Sequence, residues 1–277
     1  MNEFTGLYYT EDGANKEITS FETDVLRSGT ILYEVIRIQN GTPLFLEDHL
    51  ARLLESIRLS ALTYTVALPV THQNLSNLSR INDIANGNVK IILHFQKEAE
   101  PMLYTGFVPH FYPTGLMVQE GVETDFFKAE RLDPNIKKLH AEMIQRASTL
   151  IKTENLYDVL LVDDDDTVTE GSKTNAFFVR GKIVYTAPGE KVLRGITRGK
   201  IFFLCKQLNI KLIERSIPTK GLHDFDAAFF TGTSPKVLPI RRIANIEYTV
   251  TNQVMRSLVK AYDDLIMSYI NSGVKKD

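Results

Sequence analysis

The apolar positions of this chain switch between two periods, and the switches mark its elements. Ile31–Gln39, ILYEVIRIQ, is rich in β-branched residues and ends at Asn40-Gly41, which predicts a strand and a hairpin with Pro43–Leu46 returning. Over Glu47–Ser60 the period lengthens to that of a helix, with Leu50, Leu53, Leu54 and Ile57 on one apolar face. His49, Arg52 and Ser56 line the adjacent face. A polar helix is predicted around Gln73–Ile84, closed by Asn86-Gly87, followed by strands at Val89–Gln96 and Leu103–Tyr112. Gly121–Asn135 holds a proline and many charges and reads as a linker. Beyond it come a helix over Leu139–Lys152 and strands at Val159–Leu161, Asn175–Val179 and Ile183–Thr186. A helix over Thr197–Leu208, strands at Ile210–Ile217 and Ala227–Thr231, and a last helix from Asn252 to Ile270 complete the prediction. Residues 1–30 show no readable pattern.

Mixed strands and helices, with a hairpin of its own in the first third, predict two α/β (α+β) domains. The smaller spans 1–120 and the larger 121–277, with a binding cleft between them. At 277 residues, 43% hydrophobic and 24% charged, the chain can bury a substantial core. A net charge of −2 makes no electrostatic case for nucleic acid or an anionic membrane surface. The single cysteine, Cys205, excludes an internal disulfide and lies in an apolar helical run, where it reads as a buried structural thiol. The absence of a signal pattern or a membrane-length apolar run leads to a cytoplasmic, soluble expectation. No metal site is expected.

The densest chemistry lies between Asp163 and Arg180, DDDDTVTEGSKTNAFFVR. The four acids Asp163–Asp166 are expected to turn the chain in solvent between two strands. Glu170, Gly171, Ser172 and Asn175 then crowd a polar corner, and an enclosed acid there needs a cation or several donors. A lone corner of this kind would be a solvated hairpin loop. However, Thr169-Glu170-Gly171-Ser172-Lys173-Thr174-Asn175-Ala176-Phe177 resembles the glutamate loop of the fold-type IV pyridoxal phosphate (PLP) enzymes, with Ala176 in place of a larger aliphatic. That family includes branched-chain and D-amino acid aminotransferases and aminodeoxychorismate lyase. The resemblance implies a D-amino acid aminotransferase-like fold with PLP as cofactor. It also implies that Glu170 keeps the pyridine nitrogen protonated, which makes the ring a better sink for the carbanion at the substrate α-carbon.

Four further motifs occur in family order, so that the resemblance runs from Ile31 to Leu238. Ile136-Lys137-Lys138-Leu139-His140 resembles the family's I-K-x-L-N, which selects Lys137 as the amine that attaches the cofactor and leaves Lys138 variable. Alone, a lysine pair before a helix would be a solvated surface feature. Arg194-Gly195-Ile196-Thr197-Arg198 matches the family's P-G-I-T-R except at the proline; at a helix start its amides and the Thr197 hydroxyl would converge on a phosphate. The resemblance adds Ile196 and Thr197 to the cofactor site, Thr233 in Phe230-Thr231-Gly232-Thr233-Ser234, and Arg52 in His49-Leu50-Ala51-Arg52-Leu53-Leu54-Glu55-Ser56.

The residues that define individual activities are less well kept. Ser28 stands at the family's pocket tyrosine, Ile31 replaces a small residue, and Glu142 stands where branched-chain enzymes carry a tyrosine. The R-x-H pair of D-amino acid enzymes is missing from Leu93-His94-Phe95-Gln96, which leaves His94, Gln96, His110 and Tyr112 as further pocket candidates. Backbone amides of Thr233-Ser234 are therefore expected to receive the substrate carboxylate, with Ile31 and Phe95 near its side chain. The expected function is transfer of an amino group between an α-amino acid, branched-chain or otherwise aliphatic, and a 2-keto acid. The alternatives are elimination of pyruvate from 4-amino-4-deoxychorismate and a non-catalytic descendant of the family. A homodimer is what the resemblance implies for assembly.

Overall fold

Asn40 (φ 51°) and Gly41 (φ 73°) both take left-handed conformations, which an Asn-Gly pair adopts at little cost, and so reverse the chain after its first long strand. The structure, a computed structural model, describes residues 3–64, 70–131, 133–138 and 141–272. Leu139 and His140, and with them the predicted start of the third helix, lie outside the described residues.

Two compact units make up the chain. The first comprises Met1–Phe111, Ile136–Leu139 and Ile266–Asp277. Its elements are β1 (Thr5–Glu11), β2 (Ala14–Glu17), β3 (Thr30–Gln39), β4 (Thr42–Pro43), α1 (Leu46–Leu59), α2 (His72–Ile81), β5 (Gly87–Phe95) and β6 (Met102–Val108). The strands form an antiparallel sheet in the order β2-β1-β6-β5-β3-β4. Alternation along β3 sends Leu32, Ile36 and Ile38 to one face, where Leu46, Leu53 and Ile57 of α1 and Leu75 and Leu78 of α2 close a core. Ile31 joins Ile92, Tyr104, Phe4 and Tyr9 in a separate cluster. Leu54 does not belong to the buried face of α1, being 54% exposed. His49 and Ser56 are buried beside Leu53 instead, so the predicted polar row is partly an inner one. The unreadable first residues form β1 and β2, and β6 stops at Val108, which leaves His110 exposed beyond it.

The second unit, Tyr112–Asn135 with His140–Leu265, is built on a ten-stranded sheet. In chain order it contains α3 (Gly115–Glu120), β7 (Val122–Lys128), α4 (Ala141–Thr153), β8 (Asp158–Val162), β9 (Thr167–Gly171), β10 (Asn175–Arg180) and β11 (Ile183–Thr186). There follow α5 (Ile196–Gln207), β12 (Lys211–Glu214), β13 (Ile217–Pro218), β14 (Ala227–Gly232), β15 (Lys236–Ile243), β16 (Ile246–Glu247) and α6 (Gln253–Asn271), whose turns from Ile266 belong to the first unit. The order is β12-β11-β10-β14-β15-β7-β8-β9-β13, with β16 on β15. The expected linker is thus β7, an interior strand parallel to both β15 and β8. Its charges reach partners across the sheet: Glu123 binds Arg241 at 2.7 Å and also Arg242. The first break between units follows Phe111 rather than residue 120, because α3 is tied into the second unit through Val118 O, which accepts from Arg256 Nη1 at 2.8 Å.

The acidic corner is also different from its prediction. Asp163 is buried and accepts from the Thr167 amide, the Thr167 hydroxyl and Lys191 Nζ at 2.9, 2.7 and 2.8 Å; only Asp164, Asp165 and Asp166 are exposed. Past it the chain forms β9, so Glu170 lies on a strand rather than in a loop. The predicted single strand over Ile210–Ile217 is interrupted at Arg215-Ser216 and gives β12 and β13. Cys205 is buried in α5, and burial pushes its thiol up to about 12, in keeping with a structural role.

Candidate active site

In the first unit the site residues gather where α1 crosses β3. Glu34 occupies the same face of β3 as Leu32 and Ile36 and is fully buried. Arg52 grips it with both edges of one fork, Nε to Oε1 and Nη2 to Oε2, each at 2.7 Å. His49, one turn earlier, lies with Nδ1 2.7 Å from Oε2. Burial alone would push the Glu34 carboxyl up, but the charge and hydrogen bonds of Arg52, helped by His49, bring it down to about 2. His49 is held below the ordinary histidine range by its burial, opposed by Glu34, so a neutral ring donating Nδ1–H to the carboxylate is the consistent tautomer.

Lys137 is fixed against the same elements through its backbone. Its N–H donates to Ser56 Oγ at 3.2 Å, and its carbonyl accepts from the Tyr33 amide at 3.1 Å. Lys138 bridges to Leu32 along the edge of β3. This antiparallel contact presents the two lysines differently: Lys138 is exposed, while Lys137 is half-buried with Nζ 4.8 Å from the centre of the Tyr33 ring. Ile31 and Phe95 do not come together. Phe95 pairs with Thr30 and Ile31 with His94, so register sends them to opposite faces of the sheet. Phe95 belongs to the α1 core and Ile31 to the opposing cluster. His94 is buried with Nε2 2.6 Å from Ser28 O, and Gln96 is exposed.

In the second unit the centre is Glu170, 2% exposed. Its Oε2 accepts from Asn175 Nδ2 at 3.0 Å and from the Leu193 amide at 3.1 Å. Asn175 Nδ2 donates also to Leu193 O, at 2.8 Å, so β10 and the approach to α5 hold the acid jointly. Arg131 Nε lies 3.0 Å from Oε1, an ion pair without hydrogen-bond alignment. Beneath this, a second buried acid pins the turn. Asp158 accepts from the Ser172 amide at 3.2 Å, the Ser172 hydroxyl at 2.5 Å, the Lys173 amide at 3.2 Å and the Thr174 hydroxyl at 2.7 Å. The two motif glycines follow from this crowding. A Cβ on Gly171 would fall 2.6 Å from Asp158 Oδ2, and one on Gly195 would overlap Asn175 Oδ1.

Gly195 opens α5 without a side-chain cap. Thr197 in its first turn is buried, with its hydroxyl 3.2 Å from that of Tyr262, and Ile196 is half-buried beside it. Thr233 and Ser234 are half-buried in the turn joining β14 to β15. Asp158 and Arg131 carry no local sequence signal, because each acts on a partner far along the chain. Tyr33, Glu34 and Asn175 stand in recognisable motifs but without a role legible there. Glu142, at the family's tyrosine position, is exposed on α4.

Each unit carries groups that suit part of a phosphorylated pyridine: the first a half-buried amine, the second a carboxylate immobilised by two donors and an uncapped helix start made tight by Gly195. The comparisons agree. The branched-chain aminotransferase of the archaeon Thermoproteus uzoniensis, solved with norvaline, has the same fold, with a TM-score of 0.82 and 22% identity over 97% of each chain. A putative branched-chain-amino-acid aminotransferase of Methanocaldococcus jannaschii is 22% identical over 92% of this chain and 93% of its own. The aminodeoxychorismate lyase of Bacillus subtilis is 24% identical over 79% and 80%. Fold and similarity together define an enzyme of the fold-type IV kind, dependent on PLP. More narrowly, the model of the amino-transferase class IV family matches residues 31–243, and the chain belongs to that family.

Proposed function

We propose that the protein transfers the amino group of an aliphatic α-amino acid to a 2-keto acid, with Lys137 as the amine that attaches PLP. The observation that carries this reading is the setting of Lys137, tied on both sides of its backbone and half-buried over Tyr33 while its neighbour Lys138 faces solvent. Bound PLP supplies an electron sink that acidifies the α-C–H of an amino acid. The chain's own part is to hold and move charge around that sink. Lys137 Nζ takes the α-proton and returns it. Glu170, kept in place by Asn175 and the Leu193 amide, faces the ring nitrogen. Arg52, Thr197, Thr233 and the first amides of α5, from Ile196, hold the phosphate. Backbone amides of Thr233-Ser234 receive the substrate carboxylate. The Tyr33 ring offers an apolar wall in place of the Ile31 and Phe95 pair, which the sheet separates. Cytoplasmic residence and a homodimer belong to the same proposal.

Elimination of pyruvate from 4-amino-4-deoxychorismate uses the same lysine, and the B. subtilis relative makes it the competing reading. An aliphatic amino acid added without a keto acid should convert the cofactor's absorbance to that of pyridoxamine phosphate, and 2-oxoglutarate should restore it. An unchanged spectrum with amino acids, together with continuous pyruvate release from aminodeoxychorismate, would replace transamination by lysis. Borohydride reduction followed by peptide mapping should place the pyridoxyl group on Lys137. A label on Lys138 would refute the assignment of the amine.

A further inference from the structure

Arg131 lies outside every motif, on a stretch that reads as linker, yet its side chain is 9% exposed and faces the acid at the centre of the second unit. Nε lies 3.0 Å from Glu170 Oε1, while Nη2 donates to Ser172 O at 2.6 Å. Glu170 Oε2 is taken by Asn175 and the Leu193 amide. Asp158 holds the same Ser172 through its amide and hydroxyl, while the Ser172 carbonyl accepts from Arg131. The guanidinium is therefore anchored by one nitrogen and opposed to the carboxylate by another. It is near enough for a strong Coulomb interaction in an enclosed setting, and lacks the alignment of a hydrogen bond.

We propose that Arg131 is a positioning residue that shares the charge of Glu170 and thereby limits how firmly that carboxylate holds the proton on the cofactor's ring nitrogen. This rests on the reading that Glu170 faces the ring. A ring nitrogen opposite an isolated carboxylate would be bound as a full ion pair. Opposite a carboxylate already paired with a guanidinium, its proton feels attraction from one group and repulsion from the other. Arg131 so grades the electron sink without touching substrate or cofactor.

The test is the ring-15N chemical shift of the protein reconstituted with 15N-labelled PLP, followed across the pH range in which it stays folded. Wild type should lose the ring proton within that range. Arg131→Gln removes the repelling charge and should move the midpoint upward by on the order of one pH unit or more. Arg131→Lys keeps the charge and should stay on the wild-type curve. A wild-type ring protonated throughout, or an Arg131→Gln curve that overlays wild type, overturns the inference; so does an Arg131→Lys curve that departs from wild type. Should Arg131→Gln fail to fold or load PLP, Arg131→Met takes its place, with the same upward midpoint expected and an overlay with wild type overturning the inference. Glu170→Gln separates the underlying reading: if it leaves the ring-15N shift of wild type unchanged, Glu170 does not face the ring and the reading itself has failed.

Discussion

Arg52 has two tasks that a single substitution confounds. As a phosphate ligand it would contribute roughly 1.5–3 kcal/mol through a charged hydrogen bond, about one to two orders of magnitude in PLP affinity. As the partner of fully buried Glu34 it also neutralises a charge that water cannot reach. Arg52→Ala should therefore cost about 3–5 kcal/mol of folding stability in addition to cofactor affinity, because it leaves that carboxylate stranded. In Arg52→Ala/Glu34→Gln most of the stability should return in a denaturant titration, with PLP affinity still low. Recovery of both together would show that Arg52 acts on the cofactor only through the fold. Asn175 is simpler. Asn175→Ala withdraws one donor from Glu170 Oε2 and one from Leu193 O, and should lower stability by roughly 1–3 kcal/mol while weakening turnover.

Among the elements, α5 depends on a single missing carbon. Gly195 has φ −60°, which alanine adopts easily, so Gly195→Ala tests sterics alone. Its Cβ would press on the Asn175 amide that orients Glu170, and overpacking of this kind costs about 1–3 kcal/mol. The expected result is a lower denaturation midpoint with a larger proportional loss of turnover; unaltered turnover would show that Asn175 can retreat without moving Glu170. What could be read beforehand depended on how local each element's reasons are. The helices α1, α5 and α6 and the strand β3 bury their own periodic faces, so their sequences sufficed. β7 escaped notice because its Glu123 is satisfied by Arg241 and Arg242 of β15, more than a hundred residues on. Asp163 looked solvated because the lysine that accompanies its burial, Lys191, follows twenty-eight positions later. In the site, the residues within motifs could be named and their supports could not: Asp158 and Arg131 matter only once the turn at Ser172 is folded between them.

At the level of the whole molecule, acid sensitivity follows from the Glu34 group. A carboxylate held at about 2 in the folded chain against an ordinary 4.5 contributes fully above 4.5, on the order of 3 kcal/mol, and the contribution is lost as pH falls toward 2. His49, held below its ordinary 6.5, also leaves the folded state with fewer protons, so stability declines from that range downward with the same sign. Chemical denaturation across pH should show this descent, and Glu34→Gln should flatten its lower part; an unchanged slope would place the acid-sensitive group elsewhere. The first unit has a further property when considered during synthesis. A ribosome delivers the chain from its amino end, but this unit draws on Ile136–Leu139 and again on the turns from Ile266, where the Tyr269 hydroxyl donates to Glu47 at 2.9 Å and its ring lies 4.8 Å from Phe45. The second unit's last residue, Leu265, emerges before those turns do. Translation thus supplies every part of the second unit while the first still lacks its final piece. A chain ending at Leu265 should show faster proteolysis within residues 1–111, and equal rates would mean that the tie at Tyr269 is dispensable. Of the two units, the one whose strands are made earlier is the one the translating ribosome completes later.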